Sequence, residues 1–389
     1  MSFKMHIPTN LLFGEGTLSQ LHEQKMPGKH ALILITNGKS TRVNGYLDRL
    51  SMELDKAEVT YDIFDKIQAN PLKSTVMEGA AFAREHRSEF VVALGGGSVM
   101  DAGKAICAMA TNEGDLWDYI GNGTGKGMPL QHDPLPLIAI STTAGTGSEI
   151  DMGAVITNEE TYEKAGFIHP LNFPVLSIVD PSLMCSVPPK FTAFQGFDAL
   201  FHSLEGYISN KANLLSDMYA LTAIEKVAKY LPAAVHEGKN MEARENIAFA
   251  NTLSGIVMVV GSTTSEHSLE HALSAYHQEL PHGAGLIMIS KAYFTHFIQQ
   301  HVCDERFIKM AQAMGKSDAS DPMDFIEVLD QLQKACYVDD LKMSDYGIKR
   351  EEFDTFVKNA KSAMSRLFAN DRVALSDEDC KAIYEASYK

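Results

Sequence analysis

Short apolar runs, each bounded by turn residues, alternate with helix-forming stretches through the first half of the chain. The clearest runs are residues 31–36, 90–94, 135–140 and 175–179. Strands that are buried on both faces of a parallel sheet have this continuous apolar character. The pattern therefore predicts an α/β domain whose sheet contains these runs, with helices between them.

The second half of the chain loses this pattern. From about Thr192 it consists mainly of long amphipathic segments, such as residues 214–231 and 242–258, in which Ala and Met are common. Segments of this kind are typical of a buried helix bundle. A proline-rich segment, residues 180–189, lies between these two kinds of sequence. We therefore predict an α/β domain over residues 1–186 and an all-helical domain over residues 187–389.

The composition of the chain argues against several classes of binding partner. The 389 residues are 45% apolar and 22% charged, as in an ordinary globular protein. The net charge is −16 without a long Lys/Arg cluster, which argues against nucleic acid or anionic lipid as a partner. No apolar run reaches the length of a membrane span, the start lacks a signal-peptide pattern, and the five cysteines are scattered. We therefore expect a cytoplasmic protein with reduced thiols and no membrane association.

Two glycine-containing loops follow predicted strands. Gly95-Gly96-Gly97-Ser98 comes directly after the run that ends at Leu94, and residues 142–149 follow the run 135–140. Glycines let backbone N–H groups approach an anion, and the N-terminus of a following helix adds partial positive charge. Either loop alone could be a tight turn between a strand and a helix. The two together favour a cofactor that carries phosphate, bound at the carboxyl edge of the sheet.

Several polar positions in the second half have the spacing of a metal site. Asp198 and His202 are four residues apart, as are His267 and His271, so each pair would project from one face of a helix. His282 follows in Pro-His-Gly. One carboxylate with three of these four imidazoles suits Fe(II), Zn(II) or a similar divalent ion. Any one of these histidines, taken alone, could equally cap a helix or fill a polar gap in the core.

These motifs, in this order, resemble the iron-containing (group III) alcohol dehydrogenases. The resemblance runs from about residue 8 to the last helices and rests on the following segments: Gly95-Gly96-Gly97-Ser98-x-x-Asp101, Thr142–Glu149, Asp180-Pro181, Gly196–His202 and Pro281-His282-Gly283. It implies a Rossmann-like N-terminal domain, an all-helical C-terminal domain, NAD(P)H in the cleft between them, and a dehydroquinate synthase-like architecture. The implied activity is a metal-dependent, NAD(P)-linked interconversion of primary alcohols and aldehydes by a homodimer.

The resemblance also implies roles for individual residues. Asp198, His202, His267 and His282 would ligate the metal, which we expect to be Fe²⁺ with Zn²⁺ as the alternative. His271 would lie beside them, either supporting the metal ligands or relaying a proton. The cofactor would be bound by Asn37, Gly38, Lys39, Asn70, Gly95, Gly96, Gly97, Ser98, Asp101, Thr142, Thr143, Thr146 and Lys164. Lys164 could equally be an ordinary surface lysine. Residues 7–14 resemble an opening hairpin that is often used for dimer contact.

The choice of nucleotide is open because the chain departs from the family's pattern after the first strand. Asn37 stands where an acidic residue is common, and such an acid repels the 2′-phosphate of NADP. Lys39 and Arg42 are close enough in sequence for either to pair with that phosphate. The alternative is that both are solvated loop charges and that the chain uses NAD, as is prevalent in the family it resembles. We predict that NADP is used, alone or together with NAD.

Two further positions allow more than one role. Relative to the family's pattern, one residue is inserted between His271 and His282, which makes His277 a competing metal ligand. Asp151 follows the second glycine loop and either binds a substrate hydroxyl or is a solvated loop carboxylate.

The same residues also admit rival functions. His267-x-x-Glu270-His271 matches the H-x-x-E-H motif of a class of metallopeptidases. A peptidase would leave the glycine loops and the pair of Asp198 and His202 unexplained. A glycerol dehydrogenase, a dehydroquinate synthase-like enzyme and a non-catalytic nucleotide sensor are further rivals. An absorbance assay of NAD(P)H with simple aldehydes separates these functions from the preferred interpretation.

Overall fold

The computed structural model describes residues 3–389 and divides between Ser186 and Val187 into two compact units. The first unit comprises His6–Ser186. The second comprises Val187–Lys389, and residues 3–5 group with it. The predicted fold class, an α/β region followed by a mostly helical region, is confirmed.

The first unit is built on a six-stranded, wholly parallel sheet with the strand order β1-β8-β5-β4-β2-β3. Strands β6 and β7 form a separate antiparallel pair. The strands are β1 (Asn10–Phe13), β2 (His30–Thr36), β3 (Thr60–Ile67), β4 (Phe90–Gly95), β5 (Leu137–Ser141), β6 (Gly153–Asn158), β7 (Glu163–Ile168) and β8 (Leu176–Val179). The helices are α1 (Ser40–Val43), α2 (Tyr46–Lys56), α3 (Lys73–Glu85), α4 (Gly97–Thr111) and α5 (Leu116–Tyr119).

The four apolar runs of the sequence coincide with β2, β4, β5 and β8, the inner strands of this sheet. Successive residues of β2 belong to two hydrophobic cores, with Leu32 and Leu34 in one and Ile33 and Ile35 in the other. A strand alternates its side chains between two faces, so both faces of the sheet are covered by helices. The two edge strands are partly exposed. β1 is only four residues long and β3 mixes polar with apolar residues, so neither forms a long continuous apolar run.

The expected opening hairpin over residues 7–14 is wrong. Within this segment β1 is an edge strand that pairs in parallel with β8, with Leu12 opposite Ile178. The partner strand lies more than 160 residues away in sequence, a distance at which local pattern carries no information.

The order in which the chain adds strands to the sheet reverses at β2. This strand has β3 on one side and β4 on the other, so the chain winds outward both ways from it. Ligands of open α/β sheets bind outside the carboxyl ends of the strands at such a point. Residues 37–39 directly follow β2, and residues 95–98 begin at the last residue of β4. Both predicted cofactor loops therefore lie at the carboxyl ends of the two strands where the strand order reverses.

The second unit is helical in the part of the chain that the structure describes. Its helices are α6 (Pro189–Ile208), α7 (Leu214–His236), α8 (Met241–Val260), α9 (Ser265–Tyr276), α10 (His282–Gln299), α11 (Asp304–Ala313), α12 (Asp324–Ala335), α13 (Phe353–Ala363), α14 (Ser365–Phe368) and α15 (Asp377–Ser387). Helix α6 contacts α7, α8 and α10 and is buried along most of its length. Among the described helices none is, by itself, long and apolar enough to cross a membrane; α8 and α9 meet that test only as a pair bent by 107°.

Candidate metal centre and cofactor loops

Helix α6 brings a carboxylate and an imidazole to the centre of the second unit. Asp198 and His202 lie one helical turn apart, and both are almost fully buried. Gly196, two residues before Asp198, lets this turn approach α7, because a Cβ there would lie 2.2 Å from a methyl carbon of Leu231. The small residue in the Gly-Phe-Asp motif therefore serves helix packing, which places Asp198 in the interior.

Three imidazoles converge on one oxygen of Asp198. Its Oδ1 lies 3.5 Å from Nδ1 of His202, 3.5 Å from Nε2 of His267 and 3.5 Å from Nε2 of His282. Asp198, His267 and His282 form a set whose ligand atoms all lie within 4.8 Å of one another. The ring of His202 stacks on that of His267 with centroids 4.3 Å apart. The structure thus brings the four predicted metal ligands together around Asp198, with three of them in that set and His202 beside it.

Neighbouring charges shift the pKa values of Asp198 and His267 in opposite directions. Burial alone raises the pKa of Asp198, but His202 and His282 outweigh it and hold this pKa well below its usual range. Burial alone lowers the pKa of His267, whereas Glu205 and Asp198 raise it to about 10. Without a metal, the carboxylate is therefore ionised and His267 carries a proton that a bound cation would displace.

Glu205 orients His267 from the side away from Asp198. It lies on α6, is fully buried, and its carboxylate accepts a hydrogen bond from Nδ1 of His267. The same carboxylate also accepts from the backbone N–H of Thr264 at 2.8 Å and from its hydroxyl at 2.9 Å. This bond keeps a proton on Nδ1, so Nε2, which faces Asp198, is the nitrogen from which a cation would displace the second proton.

His282 is the first residue of α10, and the glycine after it explains the Pro-His-Gly motif. A Cβ on Gly283 would lie 2.2 Å from the carbonyl oxygen of Phe194 on α6. Only a residue without a side chain lets the start of α10 lie directly against the α6 backbone. On the other side of the ring, Nδ1 of His282 donates to Glu270 of α9.

Two other histidines near this cluster, His271 and His277, differ in their surroundings. The ring of His271 is buried and lies 5.1 Å, between centroids, from that of His282. With Glu270 and His282 it forms the second set of potential ligands among residues 3–389. His277, the competing ligand of the sequence interpretation, contacts Glu352 through Nε2 at 3.1 Å and is in neither set of described residues.

In the first unit the two glycine loops touch each other. A Cβ on Gly96 would lie 2.8 Å from the hydroxyl of Thr143, and one on Gly97 would lie 2.3 Å from the methyl carbon of Thr146. The backbone N–H of Thr142 also donates to the carbonyl of Gly95 at 3.0 Å. These glycines therefore permit close contact between the loops, in addition to any approach to an anion.

A buried polar network lies below the loops. The ammonium of Lys104 donates to the hydroxyl of Ser148 at 2.8 Å, to Asp151 at 2.6 Å and to the carbonyl of Gly153 at 2.7 Å. Asp101 accepts from Ser148 at 2.6 Å and from the N–H of Val155 at 2.8 Å. Burial raises the pKa of Asp101 to about 6, although nearby Lys104 opposes the rise.

This network contradicts the expectation that Asp151 is a solvated loop carboxylate. Asp151 is not a solvated loop carboxylate, because it is 9% exposed and forms an ion pair with Lys104, whose side chain is fully buried. The same engagement argues against a substrate hydroxyl as its partner. The sequence carried no sign of this, since Lys104 lies 47 residues away.

Lys164 is not a surface lysine. It is 4% exposed, and its ammonium donates to the side-chain oxygen of Asn70 at 3.0 Å. Asn70 adopts a positive φ of 51°, a conformation that asparagine tolerates better than most residues. The structure therefore brings together two of the predicted cofactor residues that lie 94 positions apart.

The remaining predicted cofactor residues lie around the carboxyl ends of the strands. Asn37, Gly38 and Lys39 are exposed after β2, and Arg42 forms an exposed ion pair with Asp65 at 2.8 Å. Ser98 lies in the first turn of α4.

Glu205 was missed from the sequence, and Glu270 was noted only as part of the H-x-x-E-H match, without its contact to a predicted ligand. Glu205 follows His202 by three positions and Glu270 follows His267 by three, so both share a helical face with a predicted ligand. That spacing was the available signal. It could not reveal which imidazole each carboxylate contacts, because the contacts join different helices.

Comparison with known proteins adds an independent finding. The family model described as iron-containing alcohol dehydrogenase matches residues 8–181, and the model of the C-terminal region of the Fe-containing alcohol dehydrogenase family matches residues 192–388. The chain is 34% identical to 1,3-propanediol dehydrogenase of Klebsiella pneumoniae, over 92% of this chain and 91% of the relative. It is 32% identical to the probable NADH-dependent butanol dehydrogenase 1 of Bacillus subtilis, over 98% of both chains.

Solved structures of alcohol dehydrogenases and related oxidoreductases are also similar to this chain. A crystal structure of an archaeal halo-thermophilic alcohol dehydrogenase from a Red Sea brine pool, bound to NZQ, superposes with a TM-score of 0.94 at 32% identity and covers 100% of this chain and 99% of that one. A crystal structure of a 1,3-propanediol oxidoreductase has a TM-score of 0.89 at 30% identity, with 100% of both chains covered.

Proposed function

The chain belongs to the iron-containing alcohol dehydrogenase family, and we propose that it interconverts primary alcohols and aldehydes by hydride transfer with a nicotinamide cofactor. The observation that carries the proposal is the convergence of three imidazoles on Oδ1 of Asp198. Two of the relatives are named for 1,3-propanediol and butanol, which are small primary alcohols.

The residues at the centre fit a divalent metal. Among the described residues, the buried Oδ1 of Asp198 and Nε2 of His267 have no hydrogen-bond partner, so both atoms are available to a cation that displaces the proton of Nε2. Asp198, His202, His267 and His282 would hold it, and one carboxylate with three imidazoles suits Fe²⁺, with Zn²⁺ as the alternative. A divalent ion supplies Lewis acidity, which lowers the pKa of an alcohol and polarises a carbonyl.

The surrounding side chains manage the charge and the protons. Asp198 offsets part of the cationic charge, and Glu205 keeps the proton of His267 on Nδ1, away from the ligand position. We propose that His271, buried beside His267 and His282, relays the alcohol proton outward.

We propose that the nucleotide binds at the carboxyl ends of β2, β4 and β5. The touching loops 95–98 and 142–146 would bind the pyrophosphate, since their backbone N–H groups and threonine hydroxyls lie at the N-terminus of α4. Asn37 to Lys39 would face the adenosine ribose, and the pair of Lys164 and Asn70 would contact the cofactor elsewhere along its length. NAD is used by relatives named NADH-dependent, and the exposed Lys39 supports NADP as well.

Two broader features remain proposals on the same footing. The acidic composition and the reduced thiols, all five free in the structure, support a cytoplasmic enzyme. A homodimer is proposed from the family resemblance. The metallopeptidase alternative is not favoured, because Glu270 of the H-x-x-E-H match binds His282 where a peptidase would use it as a base.

The decisive experiment combines metal content with turnover. Asp198→Asn should reduce bound metal to near zero and abolish NAD(P)H oxidation with butanal, because the neutral amide cannot offset the cation. Glu225→Gln, which changes an exposed carboxylate of the same unit, should retain both. Circular dichroism checks that the variant is folded. A folded Asp198→Asn protein with full metal content and turnover would contradict the assignment.

A further inference from the structure

Glu270 is the one acidic member of the H-x-x-E-H match, and the proposed metal cage does not need it as a ligand. Its side chain is fully buried in α9, in the interior of the second unit. Burying a carboxylate is costly unless strong hydrogen bonds compensate it. Its carboxylate accepts from Nδ1 of His282, whose Nε2 points to Asp198 on the opposite side of the ring.

The packing around Glu270 is adapted to this side chain. Gly285, in the first turn of α10, has no side chain at the point where α9 and α10 meet. A Cβ on Gly285 would lie 2.6 Å from Cγ of Glu270 and 2.8 Å from its Oε1. A glycine inside a helix is unfavourable by itself, since it costs about 1 kcal/mol relative to alanine. The space that it leaves is occupied by the Glu270 carboxylate.

We propose that Glu270 is a positioning residue for the metal centre: it fixes the ring orientation and the tautomer of His282 so that Nε2 presents its lone pair beside Asp198. The proposal rests on the proposed metal-dependent function. A proton held on Nδ1 by a carboxylate makes the opposite nitrogen more basic and limits rotation of the ring. Glu205 does the same for His267, so two of the three imidazoles are each held by a buried carboxylate.

His282 has a particular need for such a partner. It is the first residue of its helix, and its side chain is 21% exposed, whereas those of His202 and His267 are 8% and 5% exposed. Less of its surface is packed, so packing alone limits its ring orientation least. The hydrogen bond to Glu270 supplies the constraint.

Metal affinity tests the proposal directly. Zn²⁺ is titrated into the metal-free full-length protein in competition with a chromophoric chelator, and no turnover is measured. Glu270→Ala should weaken Zn²⁺ binding by about 10- to 100-fold, the range for loss of such a partner. Glu270→Gln keeps an oxygen acceptor without the charge and should weaken it by about three- to tenfold. Ser268→Ala, at a buried position of the same helix whose hydroxyl donates to Ala360, should bind like the wild type.

Gly285 supplies a coupled test. Gly285→Ala places a methyl group against Glu270 and should weaken Zn²⁺ binding by about tenfold in the wild-type background. In the Glu270→Ala background the same methyl group meets no carboxylate, so it should cause no further loss of affinity. A purely structural role would lower the melting temperature of the metal-free variants without this coupling.

The outcomes separate the two proposals. If the wild type binds no Zn²⁺, the proposed metal-dependent function fails. If the wild type binds Zn²⁺ and either Glu270→Ala or the nearly isosteric Glu270→Gln binds it equally well, the positioning role of Glu270 is overturned. If Glu270→Ala does not fold, the Gln variant decides, because its shape is almost unchanged.

Discussion

Replacement of Lys104 by methionine should destabilise the first unit strongly. Methionine has nearly the length of the lysine stem, so the change removes the charge and the hydrogen bonds while leaving little empty space. Three acceptors lose their donor: Ser148, Asp151 and the carbonyl of Gly153. The Lys104 side chain is fully buried, so water cannot replace it.

The magnitude follows from the burial of the pair. Removing one partner of a buried ion pair costs about 3–5 kcal/mol, because the other charge is left without compensation. Asp151 would then be a buried carboxylate close to Asp101, and the repulsion between them adds to the cost. With a urea m-value of about 2–3 kcal/mol/M, the unfolding midpoint should fall by about 1–2.5 M.

The chain provides a probe for this unit. Its single tryptophan, Trp117, lies in α5 of the first unit, where its ring N–H donates to Glu163 at 2.9 Å. Tryptophan fluorescence in a urea titration therefore reports the unfolding of the unit that contains Lys104. Lys66→Met is the matched control, since Lys66 and its partner Glu78 are both more than half exposed and such pairs contribute about 1 kcal/mol or less.

A second substitution separates the charge from other effects. Asp151→Asn in the Lys104→Met background removes the stranded charge and should restore part of the lost midpoint. A Lys104→Met midpoint within about 0.3 M of the Lys66→Met midpoint, at the same m-value, would refute the reasoning.

Two further predictions concern the cofactor loops. Asn37→Asp should raise the ratio of kcat/KM for NADH to that for NADPH at least tenfold, about 1.4 kcal/mol, because a carboxylate beside the ribose repels the 2′-phosphate; an unchanged ratio would show that Asn37 lies away from that group. Burial raises the pKa of Asp101 from its usual value near 4 to about 6, so between these pH values the folded protein binds more protons at this site than the unfolded chain does. The free energy of unfolding of the wild type should therefore fall relative to that of Asp101→Asn as the pH rises from about 4 to 6, by up to about 3 kcal/mol, and parallel urea-derived pH profiles would contradict this.

The pattern of the sequence predicted the fold class, and its resemblance to a known family implied the proposed ligand set. Inner strands of a parallel sheet are apolar along their whole length, so β2, β4, β5 and β8 were visible as continuous runs. The spacing of Asp198 and His202 identified one helical face, because the period of a helix is local and does not depend on tertiary contacts. The glycine loops were recognised for the same reason, each following its own strand.

Tertiary structure decided which side chains meet. The sequence contains Glu270 and His282 twelve residues apart, but only the packing of α9 against α10, permitted by Gly285, directs one to the other. Lys104 and Asp151 give no local sign of their ion pair, since burial at a contact between distant segments is what makes the pair form. The pairing of edge strands and the partners of buried charges depend on residues that are remote in sequence. A local sequence pattern therefore cannot predict these contacts.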